Sequence, residues 1–202
     1  ASEIVKEGKW DDPSVLEVAK AYEDFAKKGY FSEQIASNVW PAGQNQELAL
    51  GTAAIYLNGS WLPNEVKDIT GEDFSWGCFS YPAVKGGKDG VEASNYGAQV
   101  FAINKKSKKA EDAFKLIQYF TKGKFDEKLS QESLGIPADS DNKDWPKQLS
   151  HVRPVMEELK TRYPWAASAE DNVDMTPILK ENFMKLCGGS ITAEEFVANL
   201  KK

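Results

Sequence analysis

The stretch Gly51-Thr-Ala-Ala-Ile-Tyr-Leu-Asn-Gly-Ser-Trp61 constrains the fold more than any other part of the chain. Its β-branched and aromatic residues predict a short buried strand from Ala53 to Leu57, and Asn58-Gly59 stops it. Ser60 then reads as the cap of a following helix, with Pro63 in the first turn, where a missing N–H costs little. A strand leading through a Gly turn into a helix is an α/β element. The carboxyl end of such a strand is where ligands bind in open α/β sheets. Trp61 falls at that junction. Its flat indole suits the apolar face of a sugar ring, and Asn58 and Ser60 beside it suit hydroxyl groups. The residues alone leave Trp61 open between that role and a core indole beside a turn.

Charge and composition remove several function classes. The chain has 202 residues, 25 basic and 31 acidic, for a net charge of −6. That length buries a real core in one large domain or two small ones. A mildly acidic chain with scattered basic pairs, among them Lys105-Lys106 and Lys201-Lys202, lacks the positive face that nucleic acid demands. No stretch approaches the run of about twenty apolar residues that crosses a bilayer. The opening Ala1-Ser2-Glu3 is polar and carries no signal peptide, although a mature or truncated chain begins the same way. Cys78 and Cys187 form no disulfide framework, and no cysteine–histidine cluster points to a metal. His151 is the single histidine, so a histidine-based triad has no place within this chain. It reads as a solvated helix residue.

Most of the remaining elements read as helices. Asp12-Pro13 starts one whose apolar face is Val15, Val18, Ala19, Tyr22, Phe25 and Ala26, ending at Lys28-Gly29. Gln44 to Leu50 is a further helical piece. Phe74 to Cys78 and Ala98 to Ile103 read as strands, and the glycines at 86, 87 and 90 as an exposed loop without phosphate-loop spacing. Ser107 caps a helix with the buried stripe Ala110, Ala113, Phe114, Ile117 and Phe120, which Gly123 ends. Phe125 and Leu129 lie on a shorter helix, and Leu134-Gly-Ile-Pro137 turns the chain into a polar loop from Asp139 to Asp144. Val152, Val155, Met156 and Leu159 share another helix, broken by Tyr163-Pro-Trp165. Thr176-Pro177 starts a helix burying Ile178, Leu179, Phe183 and Leu186. The last helix opens on the capping box Thr192-Ala-Glu-Glu195 and buries Phe196, Val197 and Leu200. The fold class is α/β, helix-rich.

The order of these signals resembles the extracellular solute-binding proteins of sugar ABC transporters, of the family 1, maltose-binding-protein-like type. Four stretches carry the resemblance: the Asp12-Pro13 helix ending in Lys28-Gly29-Tyr30-Phe31; Gly51 to Trp61, similar to the family's "GkaAM…GsW"; Tyr96-Gly97 through Ile103 with the Ser107-Lys108 helix and Gly135-Ile136-Pro137-Ala138; and Leu186 to Glu195, similar to "lxGxxsxeEa". The resemblance implies the C-terminal portion of a two-lobe, type II periplasmic-binding-protein-like fold. Residues 1–93 and 138–202 would build the second lobe, and 94–137 would cross into the first. It implies a sugar or oligosaccharide ligand, ABC permease subunits as partners, no cofactor, no metal and no nucleic acid. The location implied is extracellular or periplasmic, with a lipoprotein anchor in the full-length form. Carried over by position, the ligand-binding residues are Trp61, Asn58, Ser60, Asn95, Tyr96, Gly97 and Asp174. Met175 stands where the family often has an aromatic, which leaves Trp165 or Trp40 as alternatives. The stripe Phe114, Ile117, Phe120 would lose its usual cover and repack or self-associate.

Two other classes remain open. A carbohydrate-active enzyme needs two carboxylates about a glycosidic bond, and the candidates are Asp171, Asp174 and Glu92. A protein-interaction module would use the helical faces.

Overall fold

The computed structural model describes residues 2–83, 86–165 and 172–201. Of the residues singled out above, Ala1, Asp171 and Lys202 lie outside the described residues. The chain divides into two compact units. Unit 1 comprises 1–44, 95–97 and 162–202, and unit 2 comprises 45–94 and 98–161.

In unit 1, α1 (Ser2–Glu7) precedes α2 (Pro13–Lys27), and α8 (Met175–Cys187) precedes α9 (Ala193–Leu200). Local capping chemistry sets two of the starts. The Asp12 carboxylate accepts the Ser14 N–H at 2.9 Å. Thr192 Oγ1 accepts the Glu195 N–H at 3.2 Å, and Glu195 Oε2 accepts the Thr192 N–H at 2.8 Å, so the predicted capping box is formed. Each bond satisfies an amide that the helix itself leaves without an acceptor. Helices α2, α8 and α9 pack on one another around Ala19, Leu186, Ala193, Phe196 and Leu200, with Trp10 closing the cluster. Tyr22 meets Phe183 edge-on at 4.8 Å. Asn199 Nδ2 donates to Asn182 Oδ1 at 2.8 Å, and Asn182 Nδ2 donates to the Ile178 carbonyl at 2.8 Å. That chain of bonds satisfies a buried amide between two helices.

The apolar face read for α2 is partly rotated in the fold. Ala19 is buried and Val15 and Leu16 are partly buried, but Val18 is 48% exposed and Phe25 46%. Ile178 on α8 is also exposed. Periodicity finds an apolar face, but the neighbouring helices decide which edge of it is covered.

In unit 2, α4 (Leu62–Thr70) buries Leu62, Pro63 and Val66. Helix α5 (Ala110–Thr121) packs on α6 (Gly123–Ser133), and α7 spans Val152–Glu158 after a 3-10 turn at Lys147–Leu149. Helix α3 (Ala42–Ala49) runs from one unit into the other along the chain. His151 is exposed at the α7 N-cap position. The loop read as polar surface is tied down by a buried carboxylate. Asp126 accepts the N–H groups of Ala138 at 2.9 Å and Asp139 at 3.2 Å, and the Asn142 side-chain amide at 3.3 Å.

Three predicted strands do not form. Residues Ala53 to Leu57, Phe74 to Cys78 and Ala98 to Ile103 contain no strand, and Ile55 and Leu57 are 71% and 75% exposed. A strand needs a neighbour to receive its backbone hydrogen bonds. The sheet among the described residues has two strands, β1 (Ala93–Tyr96) and β2 (Thr161–Pro164). The β2 segment was read as a helix break, so a strand stands where only an interruption was expected. Two further readings are corrected. Ser107 Oγ accepts the Lys109 N–H at 3.1 Å and closes the turn before α5, while the N-cap residue Lys109 makes no side-chain cap. The α5 stripe is not buried, and Phe114 is 54% exposed.

Cys78 and Cys187 are both free thiols. Burial pushes the Cys187 thiol up to about 11, which keeps it protonated and inert at neutral pH.

The covered face of unit 1 gives a direct contrast. Leu186→Ala is expected to lower unfolding stability by about 2–5 kcal/mol, whereas Val18→Ala changes it by less than about 0.5 kcal/mol. Urea unfolding of both variants checks the assignment.

Candidate functional site

The sequence-derived site residues fall into two groups, one in each unit. Asn58, Ser60 and Trp61 belong to unit 2, and Asn95, Tyr96, Gly97 and Asp174 to unit 1.

Around Trp61 the backbone folds into a turn that leads into α4. The Leu62 N–H donates to the Gly59 carbonyl at 3.1 Å, and the Glu65 N–H donates to the Trp61 carbonyl at 3.3 Å. Trp61 itself is the N-cap residue, without a side-chain cap bond, so Ser60 does not cap this helix. The indole lies against the Gly59 backbone. A Cβ at Gly59 would stand 2.1 Å from Cζ3 of the ring, so only glycine lets the ring sit there. Trp61 stays 39% exposed.

Asn58 precedes Gly59 in the same turn and is partly buried. Its Oδ1 accepts the Gly59 N–H at 2.7 Å, and that bond fixes the amide's orientation. The Nδ2 donor is buried and meets no hydrogen-bond partner among the described residues. A buried donor without an acceptor costs about 1–3 kcal/mol. Such groups are rare in folded proteins, and Asn38 Nδ2 and Asn45 Oδ1 share this state among the described residues. Ser60 is half-buried beside it.

In unit 1, Asn95 and Tyr96 form the exposed end of β1. The Arg162 guanidinium of β2 stands over the Tyr96 ring, 5.1 Å from its centroid. Gly97 lies close to Trp165, where an added Cβ would be 3.7 Å from the Trp165 Cβ. Trp165 is 43% exposed and Tyr96 44%. Asp174 is exposed at the N-cap position of α8 and makes no side-chain cap bond. The Met175 N–H is instead met by Asn172 Oδ1 at 3.0 Å. Tyr96, Gly97, Arg162 and Trp165 are therefore brought together, and no contact joins Asp174 to them. Arg162 was missed in the sequence. Its signal was there, because the chain has only two arginines.

Unit 2 also holds an open cavity of about 490 Å3 lined by Tyr119, Lys122, Lys124, Phe125 and Lys128. None of the sequence-derived site residues lines it. Among the described residues, no group of histidine, cysteine and acidic side chains is arranged to hold a metal ion. No helix among them is long and apolar enough to cross a membrane.

A family model described as bacterial extracellular solute-binding protein matches residues 4–152. That is most of the chain, and the chain belongs to this family of extracellular ligand-binding proteins. Asn58, Ser60, Trp61, Asn95, Tyr96 and Gly97 lie inside the matched range, and Asp174 lies beyond it. No curated protein and no solved structure matches the chain.

The packing of Trp61 on Gly59 is open to test. In Gly59→Ala the new methyl displaces the indole, which can swing into solvent. Stability is expected to change by less than about 0.5 kcal/mol, while the Trp61 indole N–H signal moves in a two-dimensional NMR spectrum. An unmoved signal would show that the ring does not rest on this backbone.

Proposed function

We propose that this chain binds a mono- or oligosaccharide outside the cell and delivers it to the permease of an ABC transporter, without catalysis. Family membership supports extracellular solute binding. The observation that carries the sugar assignment is the unpartnered Asn58 Nδ2 donor beside the partly exposed indole of Trp61. An indole face covers the C–H surface of a pyranose, and an amide donor meets a ring hydroxyl. Asn95, Tyr96, Gly97 and Asp174 are proposed as further ligand contacts, on the resemblance alone. A lipoprotein anchor holding the full-length protein at the membrane belongs to the same reading.

The glycosidase alternative finds less support. Glu92, one of its candidates, accepts the nearby Gly90 N–H at 3.2 Å in a local turn. Asp174 is exposed at the N-cap position of α8, and its partner candidate Asp171 lies outside the described residues, while the chemistry needs a pair of facing carboxylates.

Calorimetric titration with a panel of mono- and oligosaccharides tests the proposal. At least one sugar is expected to bind, and Trp61→Ala is expected to weaken it about tenfold or more, a typical loss for a buried aromatic anchor. Failure of every sugar to bind, or a Trp61→Ala protein that binds as tightly, would overturn it.

Self-association through the α5 face is a second proposal, favoured by its exposure. Phe120 is covered by Phe101, 6.2 Å away and stacked, and by Phe125 at 5.1 Å. Phe114, Leu116 and Tyr119 remain exposed on the same helix. Apolar surface of this kind associates as concentration rises. Light scattering across a concentration series is expected to show a dimer or larger species that Phe114→Asp returns to monomer. A monomer throughout would contradict it.

A further inference from the structure

Basic side chains in this chain are nearly all lysine, and only positions 153 and 162 carry arginine. The two arginines are used differently. Arg153 Nε donates to Glu157 Oε1 at 2.9 Å, and its Nη1 donates to the Lys143 carbonyl at 3.2 Å. The Arg162 side chain forms no ion pair or hydrogen bond with any described residue. It stands instead over the Tyr96 ring, with the guanidinium carbon 5.1 Å from the ring centroid.

Arginine and lysine are not equivalent at such a place. A guanidinium lies flat on an aromatic ring, is less strongly hydrated than an ammonium, and keeps its N–H donors in its own plane. Stacking therefore fixes the group without using its hydrogen-bonding capacity. Two exposed aromatic side chains, Tyr96 and Trp165, stand with it, and Gly97 keeps the backbone between them bare. A sugar bound here meets aromatic surface and, beside it, a planar fork of donors. That fork matches an oxyanion in a bidentate way that no neutral hydroxyl can.

We propose that Arg162, held on Tyr96, selects a sugar bearing an oxyanion substituent, a carboxylate or a phosphate, over its neutral counterpart. This rests on the saccharide reading above and names the class of sugar. The chain's net charge of −6 works against an anionic ligand at long range. The preference therefore comes from this one local cation and weakens with added salt.

The test is a set of titrations with glucose, glucuronate and glucose 6-phosphate and with their short oligosaccharide forms. The protein is compared with Arg162→Gln and Arg162→Lys, after circular dichroism has shown that each variant is folded. At least one of the two anionic sugars is expected to bind tenfold or more tighter than glucose, and less so at high salt. Arg162→Gln should bring anionic and neutral sugars within about twofold of each other, with anionic binding losing far more than neutral binding, and Arg162→Lys should keep part of the preference. Equal or tighter binding of the neutral sugar by the unaltered protein overturns the role of Arg162 and leaves the saccharide reading standing. An equal loss for both sugars in Arg162→Gln marks the residue as structural and overturns it as well. If no sugar of either kind binds, the saccharide reading fails and this inference with it.

Discussion

Unit 1 depends on the packing of α2, α8 and α9 about Leu186, Ala19 and Ala193, all at or below 1% exposure. Two of these three contact positions are alanine, which lets the helix axes approach closely, so the small residues matter as much as the large one. The chain enters this helical core through β2 and the start of α8. Arg162 and Trp165 lie just ahead of α8, and Asp174 at its N-cap position. A side chain on a rigid base loses less entropy when it binds than one on a loose loop. The core fixes the start of α8, where Met175 packs against it, and none of the core residues is a proposed ligand contact.

Unit 2 is held by different means. Its buried apolar residues are few, with Leu62, Val66 and Leu149 the main ones, and polar bonds do more of the work. The Asp126 carboxylate gathers three donors from the loop after α6, and the buried Asn45 amide donates to Glu65 at 2.9 Å. Many apolar side chains stay exposed, among them Ile55, Leu57, Phe101 and Phe114. Such surface favours association with something else.

What the sequence disclosed follows the range of the interactions involved. Helix starts were legible at Asp12-Pro13 and at Thr192 to Glu195, because a capping oxygen and the amide that donates to it lie within three residues of each other. Strands were not, since Ala53 to Leu57 has strand composition but no partner to pair with, and composition does not report partners. The pairing of β1 with β2 joins segments far apart in the chain, and Tyr163-Pro-Trp165 looked like a helix break for the same reason. At the site, Trp61 and Asn58 were legible as neighbours in one turn. The unpartnered Asn58 donor, the ring resting on Gly59 and the Arg162–Tyr96 stack all required coordinates. Family membership was legible in the order of the motifs, and the family match over residues 4–152 agrees with it.

The central claim is the proposed saccharide contact at Trp61 and Asn58 in unit 2. Amide and indole chemical shifts, followed while a binding saccharide is added to isotope-labelled protein, test this most directly. The expected result is shifts at the Asn58 side-chain amide and the Trp61 indole, with the residues lining the lysine-rich cavity between Tyr119 and Lys128 unmoved. Shifts confined to that cavity, or none at the Trp61 indole, would contradict it.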